Sequence, residues 1–167
     1  MKQISIHENG IYMVLEVNSE NEIKLLHFSA LPFAETSIPI EAEKNGFRLV
    51  EINVSGLDRP LERHGTKYIV TAPGYRMKYE NHRDYRNELG RKLELVSFDT
   101  GTGIRVTSHF QFYKDISVVR SWSEVENAGQ ETQTLEYVSS FNLNGIEKEG
   151  LLDRDDKMAL KIPHNSW

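Results

Sequence analysis

From one end of the chain to the other, apolar residues alternate with polar ones, the period-2 signal of half-buried strands, and no long stretch keeps the 3.6-residue period of a helix. A mostly β fold follows. Ile11, Met13, Leu15 and Val17 share one face of an early strand, and the Asn9-Gly10 pair before it predicts a tight hairpin from residues 2–7. Asn18-Ser19-Glu20-Asn21 then turns the chain into a strand over 22–28.

Residues 29–46 break the rhythm with Pro32, Pro39 and Gly46, and a loop of that length in a compact domain is usually functional or interfacial. A strand resumes over 47–54, followed by a polar loop over 55–66 that holds Gly56, Pro60 and Gly65. Leu93 and Leu95 lie on one face of a strand over 91–98. Thr100-Gly101-Thr102-Gly103 turns, and Ile104, Val106, Phe110 and Phe112 share a face of the next strand. The spacing predicts that 116–127 and 132–143 pair as a long antiparallel hairpin across Ala128-Gly129-Gln130-Glu131, with Leu135, Tyr137, Phe141 and Leu143 alternating. Strands this long favour large packed sheets over a small barrel, so the expected architecture is a two-sheet antiparallel sandwich. The charged stretch 147–157 reads as a hairpin loop or a short helix.

A length of 167 residues has room for one large domain, taken here as 1–167, and its 38% hydrophobic content with seven Tyr, seven Phe and two Trp can fill a core. The formal charge of −5 supplies no field for phosphates, and no Lys/Arg cluster is interleaved with aromatics, so nucleic acid is not an expected partner. Zero cysteines remove disulfides, thiol catalysis and cysteine-based zinc sites, and point to a reducing, cytoplasmic setting. No run approaches the ~18 apolar residues of a membrane helix, and the first residues lack the apolar core of a leader, so no membrane is expected either. Asn53-Val54-Ser55 fits the glycosylation sequon, a triplet that chance alone supplies often.

The short motifs dissolve on inspection. His82-Arg83-Asp84 copies the start of a kinase catalytic loop, but Leu89 stands where the magnesium-binding Asn would have to be. Gly101-Thr102-Gly103 lacks the third glycine and the strand-turn-helix setting of a dinucleotide site. His82 with Asp84, or His64 with His109, could meet in space, yet no His spacing matches a metal motif, and neither metal nor cofactor is expected. Ser139-Ser140 and Ser121-Trp122-Ser123 lack the nucleophile elbow of a serine hydrolase. Carboxylate pairs leave no local signature, so Asp153, Asp155 and Asp156, in a run that reads as a solvated loop, and Glu124 with Glu126, on one side of a strand, remain candidates for glycosidase chemistry.

The segment Val118-Val119-Arg120-Ser121-Trp122-Ser123-Glu124-Val125-Glu126-Asn127-Ala128-Gly129, followed by Leu135-Glu136-Tyr137-Val138-Ser139-Ser140-Phe141, resembles the α-galactosidases of glycoside hydrolase family 36. Gly90-Arg91-Lys92-Leu93-Glu94 and His109-Phe110-Gln111-Phe112-Tyr113 share that resemblance. Pro163-His164-Asn165-Ser166-Trp167 resembles the stretch before the family's linker to its barrel.

The resemblance implies a β-supersandwich of galactose-mutarotase-like topology, the N-terminal non-catalytic domain of a retaining hydrolase of terminal α-galactosides such as melibiose and raffinose. It implies that the catalytic Asp pair lies on a C-terminal (β/α)₈ barrel, which takes about 250 residues, so this chain by itself should be inactive. The implied partners are the barrel of its own or a sister subunit, in a homo-oligomer as full length, and through it the α-galactoside. Gly56-Leu57-Asp58-Arg59-Pro60 is a compressed version of the family's Gly-x-x-Asp-x-Arg-x-Pro loop at the active-site mouth, which would make Asp58 and Arg59 substrate-binding residues; a surface turn with a local ion pair is the plainer reading. A stand-alone carbohydrate-binding module, with Trp122, Trp167, Tyr75 or Tyr79 as an exposed platform, and a mutarotase-like epimerase with a His acid and a Glu base are the alternatives. A Trp in a long alternating strand is, however, more often core.

Overall fold

The computed structural model describes residues 2–34, 48–57 and 71–143. Strands account for 59% of these residues and helix for 4%, and every ladder is antiparallel, which makes the fold all-β. Strands β1 (Lys2–Glu8), β2 (Ile11–Val17) and β3 (Ile23–Ser29) form a three-stranded sheet in sequence order. The turn between β1 and β2 holds Asn9 at φ 47° and Gly10 at φ 79°, the two positive angles that a type I′ hairpin requires.

A four-stranded sheet, β5 (Lys78–Asn87), β6 (Gly90–Asp99), β7 (Ile104–Tyr113) and β8 (Val119–Asn127), also runs in sequence order. The alternation predicted for its middle strands holds: Leu93, Leu95, Ile104, Val106, Phe110 and Phe112 are all buried. Leu93, Leu95, Phe110 and Phe112 close on Ile4, Ile6, Met13, Leu15, Val17, Ile23 and Leu25 from the three-stranded sheet, giving the expected sandwich.

The helix α1 (Ala72–Arg76) and strand β5 fall where the alternation gave no assignment. Strand β5 is almost wholly polar and forms an edge of its sheet, so its strand state comes from the β6 ladder rather than from an apolar stripe. His82, Arg83 and Asp84 lie on this strand, with Arg83 and its neighbours on opposite faces, which removes the kinase likeness.

Two strand expectations need correction. The strand expected over 47–54 is a regular ladder only at β4 (Ile52–Val54), with one isolated bridge from Arg48 to Lys24; Phe47 lies outside the described residues. The long hairpin expected between 116–127 and 132–143 does not form. Strand β8 takes β7 as its partner, in register from Ile104↔Asn127 to Phe112↔Val119, across the short turn at 114–118. Strand β9 (Leu135–Val138) crosses instead to β4 and caps the buried Ile52 and Val54, with further bonds from Ser139 N–H to Glu51 O and from Asn142 N–H to Leu49 O. Val50, Ile52 and Val54 need an apolar cover, and Met77, Ile104, Val106 and Val138 supply it in a second core cluster. Two side-chain bonds link the crossing strand to β8: the Ser121 and Ser123 hydroxyls donate to the carbonyls of Ser140 and Ser139.

Candidate functional site

Asp58 and Arg59 lie outside the described residues, as do His64, Asp153, Asp155, Asp156 and Trp167. Described are the two attachments of the 58–70 segment. Leu57 donates its N–H to Val54 O and packs on the second core cluster. Thr71 is fully buried and gives both its N–H and its hydroxyl to Glu51 Oε2, at 2.9 and 2.7 Å, while its Oγ1 accepts from Ile52 N–H. Of the two flanking residues, Thr71 is held in the buried interior and Leu57 is partly buried.

The other expected residues can be placed. Asn53 of the sequon is buried and donates to Glu136 Oε2 at 2.7 Å, and Ser55 donates to the other oxygen of the same carboxylate, so the triplet serves the β4–β9 pair. His82 does not meet Asp84 in a hydrogen bond: its Nδ1 pairs with Tyr79 OH at 2.7 Å, and Asp84 accepts from Nε and Nη2 of Arg91 at 2.8 and 2.7 Å. Burial comes first among the influences that lower the His82 pKa, followed by the nearby Lys2 charge. The Arg91 hydrogen bond holds Asp84 below the usual carboxylate range. Tyr79 packs against the core, whereas Tyr75 is exposed with the Arg48 guanidinium 4.6 Å from its ring centre. Gly101-Thr102-Gly103 is a turn, with Asp99 accepting from Gly101 N–H, Thr102 N–H and the Thr102 hydroxyl.

Trp122 is not core. Because Leu93 and Phe110 face inward, Lys92, Glu94, Gln111 and His109 face the other way, and the register extends this outer row to Tyr85 and Arg83 on one side and to Arg120 and Trp122 on the other. The Trp122 indole lies parallel to the His109 imidazole, 4.7 Å apart at 8°, and the His109 side chain beneath it is only 8% exposed. Lys92 Nζ and the Arg120 guanidinium stand 5.1 and 5.2 Å from the indole centre.

Beneath that layer Glu94 is the electrostatic hub. Lys92 Nζ lies 2.8 Å from Glu94 Oε1, Tyr85 OH donates to the same oxygen at 3.0 Å, and Arg83 stands 3.6 Å from Oε2. Burial pushes the Glu94 carboxyl upward, but the bonds from Lys92 and Tyr85 and the neighbouring positive charges outweigh it and leave its pKa lowered. Lys92 is raised in turn by its bond to Glu94. His109 sits between two carboxylates: Nε2 is 3.3 Å from exposed Glu124, and Nδ1 is 3.5 Å from Glu94 Oε1, buried and without a hydrogen bond. Glu124 and Glu126 share this face as expected, with Glu126 bound to Arg105 at 2.9 Å.

The row brings together a fixed carboxylate, an imidazole with an unsatisfied nitrogen, a phenol and an indole across four strands. The sequence points to His109, Trp122 and Glu124 as separate candidates, names Lys92 and Glu94 only within a segment of family resemblance and without a role, and leaves Tyr85 unmarked. Neither that resemblance nor a place at the polar positions of a strand says what these side chains face. Among the described residues no group of three or more His, Cys, Asp or Glu side chains is arranged to hold a metal ion, and no helix is long and apolar enough to cross a membrane.

No family model matches the sequence, and no curated protein matches it. Solved structures do match. A variant of the α-galactosidase AgaA from Geobacillus stearothermophilus, of glycoside hydrolase family 36 and in complex with 1-deoxygalactonojirimycin, aligns with a TM-score of 0.55 at 15% identity. AgaA itself aligns at 0.53 with 14% identity, and the α-galactosidase AgaB from the same bacterium at 0.51 with 14%. In each case 80% of this chain is covered but only 22–23% of the longer one. At this identity the likeness is one of fold: the chain has the architecture of a β-sandwich found in those family 36 α-galactosidase structures, and spans less than a quarter of their length.

Proposed function

We propose that this chain is the N-terminal, non-catalytic sandwich of an α-galactosidase of glycoside hydrolase family 36, acting in the cytoplasm of a bacterium on terminal α-galactosides. The observation that carries the reading is the asymmetry of coverage, most of this chain against under a quarter of each α-galactosidase, with a fold that matches one part of a larger machine. The sequence motifs over 118–129 and 135–141 support it independently, because they resemble the same family. In this reading the domain docks on the catalytic barrel of its own or a sister subunit in a homo-oligomer, and Asp58 and Arg59 reach the mouth of the active site to position the sugar. The bonds from Thr71 to buried Glu51, which fix the residue that follows this segment, are consistent with that role.

An epimerase needs its acid and base on opposite sides of a sugar. His109 stands within 3.5 Å of both Glu94 and Glu124, in contact rather than across a gap, which favours a binding face over proton transfer there.

The test is to read the gene beyond the codon for Trp167 and to assay the full product and the 167-residue chain on p-nitrophenyl α-galactoside. A downstream barrel, turnover by the full product and none by the chain are expected. A reading frame that closes without a barrel, or turnover by the chain itself, would sink the proposal.

A further inference from the structure

We infer that the outer face of the four-stranded sheet, centred on Trp122, is a binding site for a neutral oligosaccharide. The solvent side of an antiparallel sheet is ordinarily a polar, unremarkable surface. Here β8, the last strand of its sheet among the described residues, places its largest apolar side chain on that side, away from both core clusters, against a histidine and two cations. Burying hydrophobic area does not explain that choice. A half-buried indole with a polar rim suits a ligand that offers one apolar face and a ring of hydroxyls.

The rim has the donors and acceptors such a ligand needs. Glu124 is 73% exposed and presents carboxylate acceptors, Arg120 is exposed and presents a planar fork of donors, and Lys92 and Tyr85 continue the row towards the far edge. With three interstrand steps of about 4.8 Å between the Tyr85 and Trp122 strands, the row is about 14 Å wide, on the scale of a disaccharide rather than a single ring. Charge argues against an anion. Lys92 and Arg83 are already set against Glu94, and exposed Arg120 shares the face with exposed Glu124, so the row has no excess of uncommitted positive charge to hold a phosphate or sulfate.

Beneath the platform the geometry is prepared rather than loose. Glu94 is held by Lys92, Tyr85 and Arg83, and His109 is clamped by the indole above it. His109 Nε2 faces the Glu124 carboxylate and so donates to it, which in the neutral ring leaves the buried, unbonded Nδ1 as an acceptor that a donor such as Lys92 Nζ, shifting on binding, would satisfy. The cations near the indole are no obstacle, since an exposed cation–π contact is weak and Arg120 can swing from the ring. This site deepens the α-galactosidase reading by giving the domain a second hold on a long galactoside, yet it rests on the sheet's own geometry.

The test is two-dimensional NMR of the 167-residue chain, titrated with melibiose, raffinose and maltose, following the indole N–H signals, with Trp167→Phe to assign that of Trp122. Expected is saturable movement of the Trp122 indole and of the Glu94, His109 and Glu124 amides with at least one sugar, at a Kd in the range of about 1 to 10 mM. Trp122→Ala should weaken it at least tenfold, and Trp122→Phe, which keeps a flat ring, less than fivefold, both with unchanged spectra for core residues such as Phe110 and Leu93. Binding of maltose but not the galactosides supports the site while counting against the galactosidase reading, and a missing downstream barrel counts against that reading alone. No movement with any of the three sugars at about 50 mM, or equal movement in Trp122→Ala, overturns the site.

Discussion

Arg48 grips the Glu22 carboxylate at both oxygens, at 3.3 Å to Oε1 and 3.1 Å to Oε2, with both side chains only 12% exposed. Lys78 adds a contact at 3.2 Å and Asn18 a hydrogen bond at 3.0 Å. The turn before β3, the start of the 48–57 run and the start of β5 are thereby joined at one carboxylate, tying the two layers of the sandwich together.

That joint sets an acid limit. Burial raises the Glu22 pKa, but the bonds from Arg48, Asn18 and Lys78 and the Arg48 charge overcome it, and the pKa falls from 4.5 to about 2. A carboxyl lower in the folded than in the unfolded chain stabilises fully above the unfolded value, and that stability is lost as pH falls from there through the folded value. Unfolding free energy should therefore drop between pH 4.5 and about 2, and Glu22→Gln should cost on the order of 2 kcal/mol at pH 7 and flatten part of that slope. Urea unfolding of both proteins across this range checks it; parallel curves would show that Glu22 contributes nothing.

Gly90 should not accept a side chain. Its φ is 142°, and a Cβ built there would fall 2.2 Å from the Phe112 carbonyl oxygen in the adjacent strand. The three nearest atoms are all backbone of residues 112–114, with no flexible side chain to move aside, so Gly90→Ala is expected to destabilise by at least about 2 kcal/mol. A thermal midpoint within a degree of the parent protein would contradict the register at this end of β6.

Core and platform aromatics should differ sharply. Phe110 is 1% exposed and packs edge-on against Phe141, so Phe110→Ala should cost about 3–5 kcal/mol. Trp122→Ala removes a half-buried ring from an outer face and should cost less than about 1.5 kcal/mol. Chemical denaturation of the two variants side by side decides the matter, and equal losses would place Trp122 in the core after all.

On the proposed function, Asp58→Asn in the full-length product should lower kcat/KM on α-galactosides by about ten- to a hundredfold, the loss expected for a charged hydrogen bond to substrate worth about 1.5–3 kcal/mol. Stability should change by no more than about 1 kcal/mol, as for an exposed ion pair. A kcat/KM within twofold of wild type, in a correctly assembled enzyme, would reduce the 58–59 pair to a turn.

Local patterning alone determined the β1–β2 hairpin, with Asn9-Gly10 at its turn, and the inward faces of β2, β6 and β7, because a period of two assigns each residue a side without reference to any partner. The absence of cysteine and of a basic field likewise needed no structure. Partner choice was another matter. Strand β8 could pair with whatever preceded or followed it, and only the packing of Val50, Ile52 and Val54, which lack a cover of their own, draws residues 135–138 away to β4. Strand β5 carried no stripe to read and exists because β6 offers a free edge. The outer row of Tyr85, Glu94, His109 and Trp122 comes from four strands, and its order is set by cross-strand register, a relation between distant segments that no local period encodes.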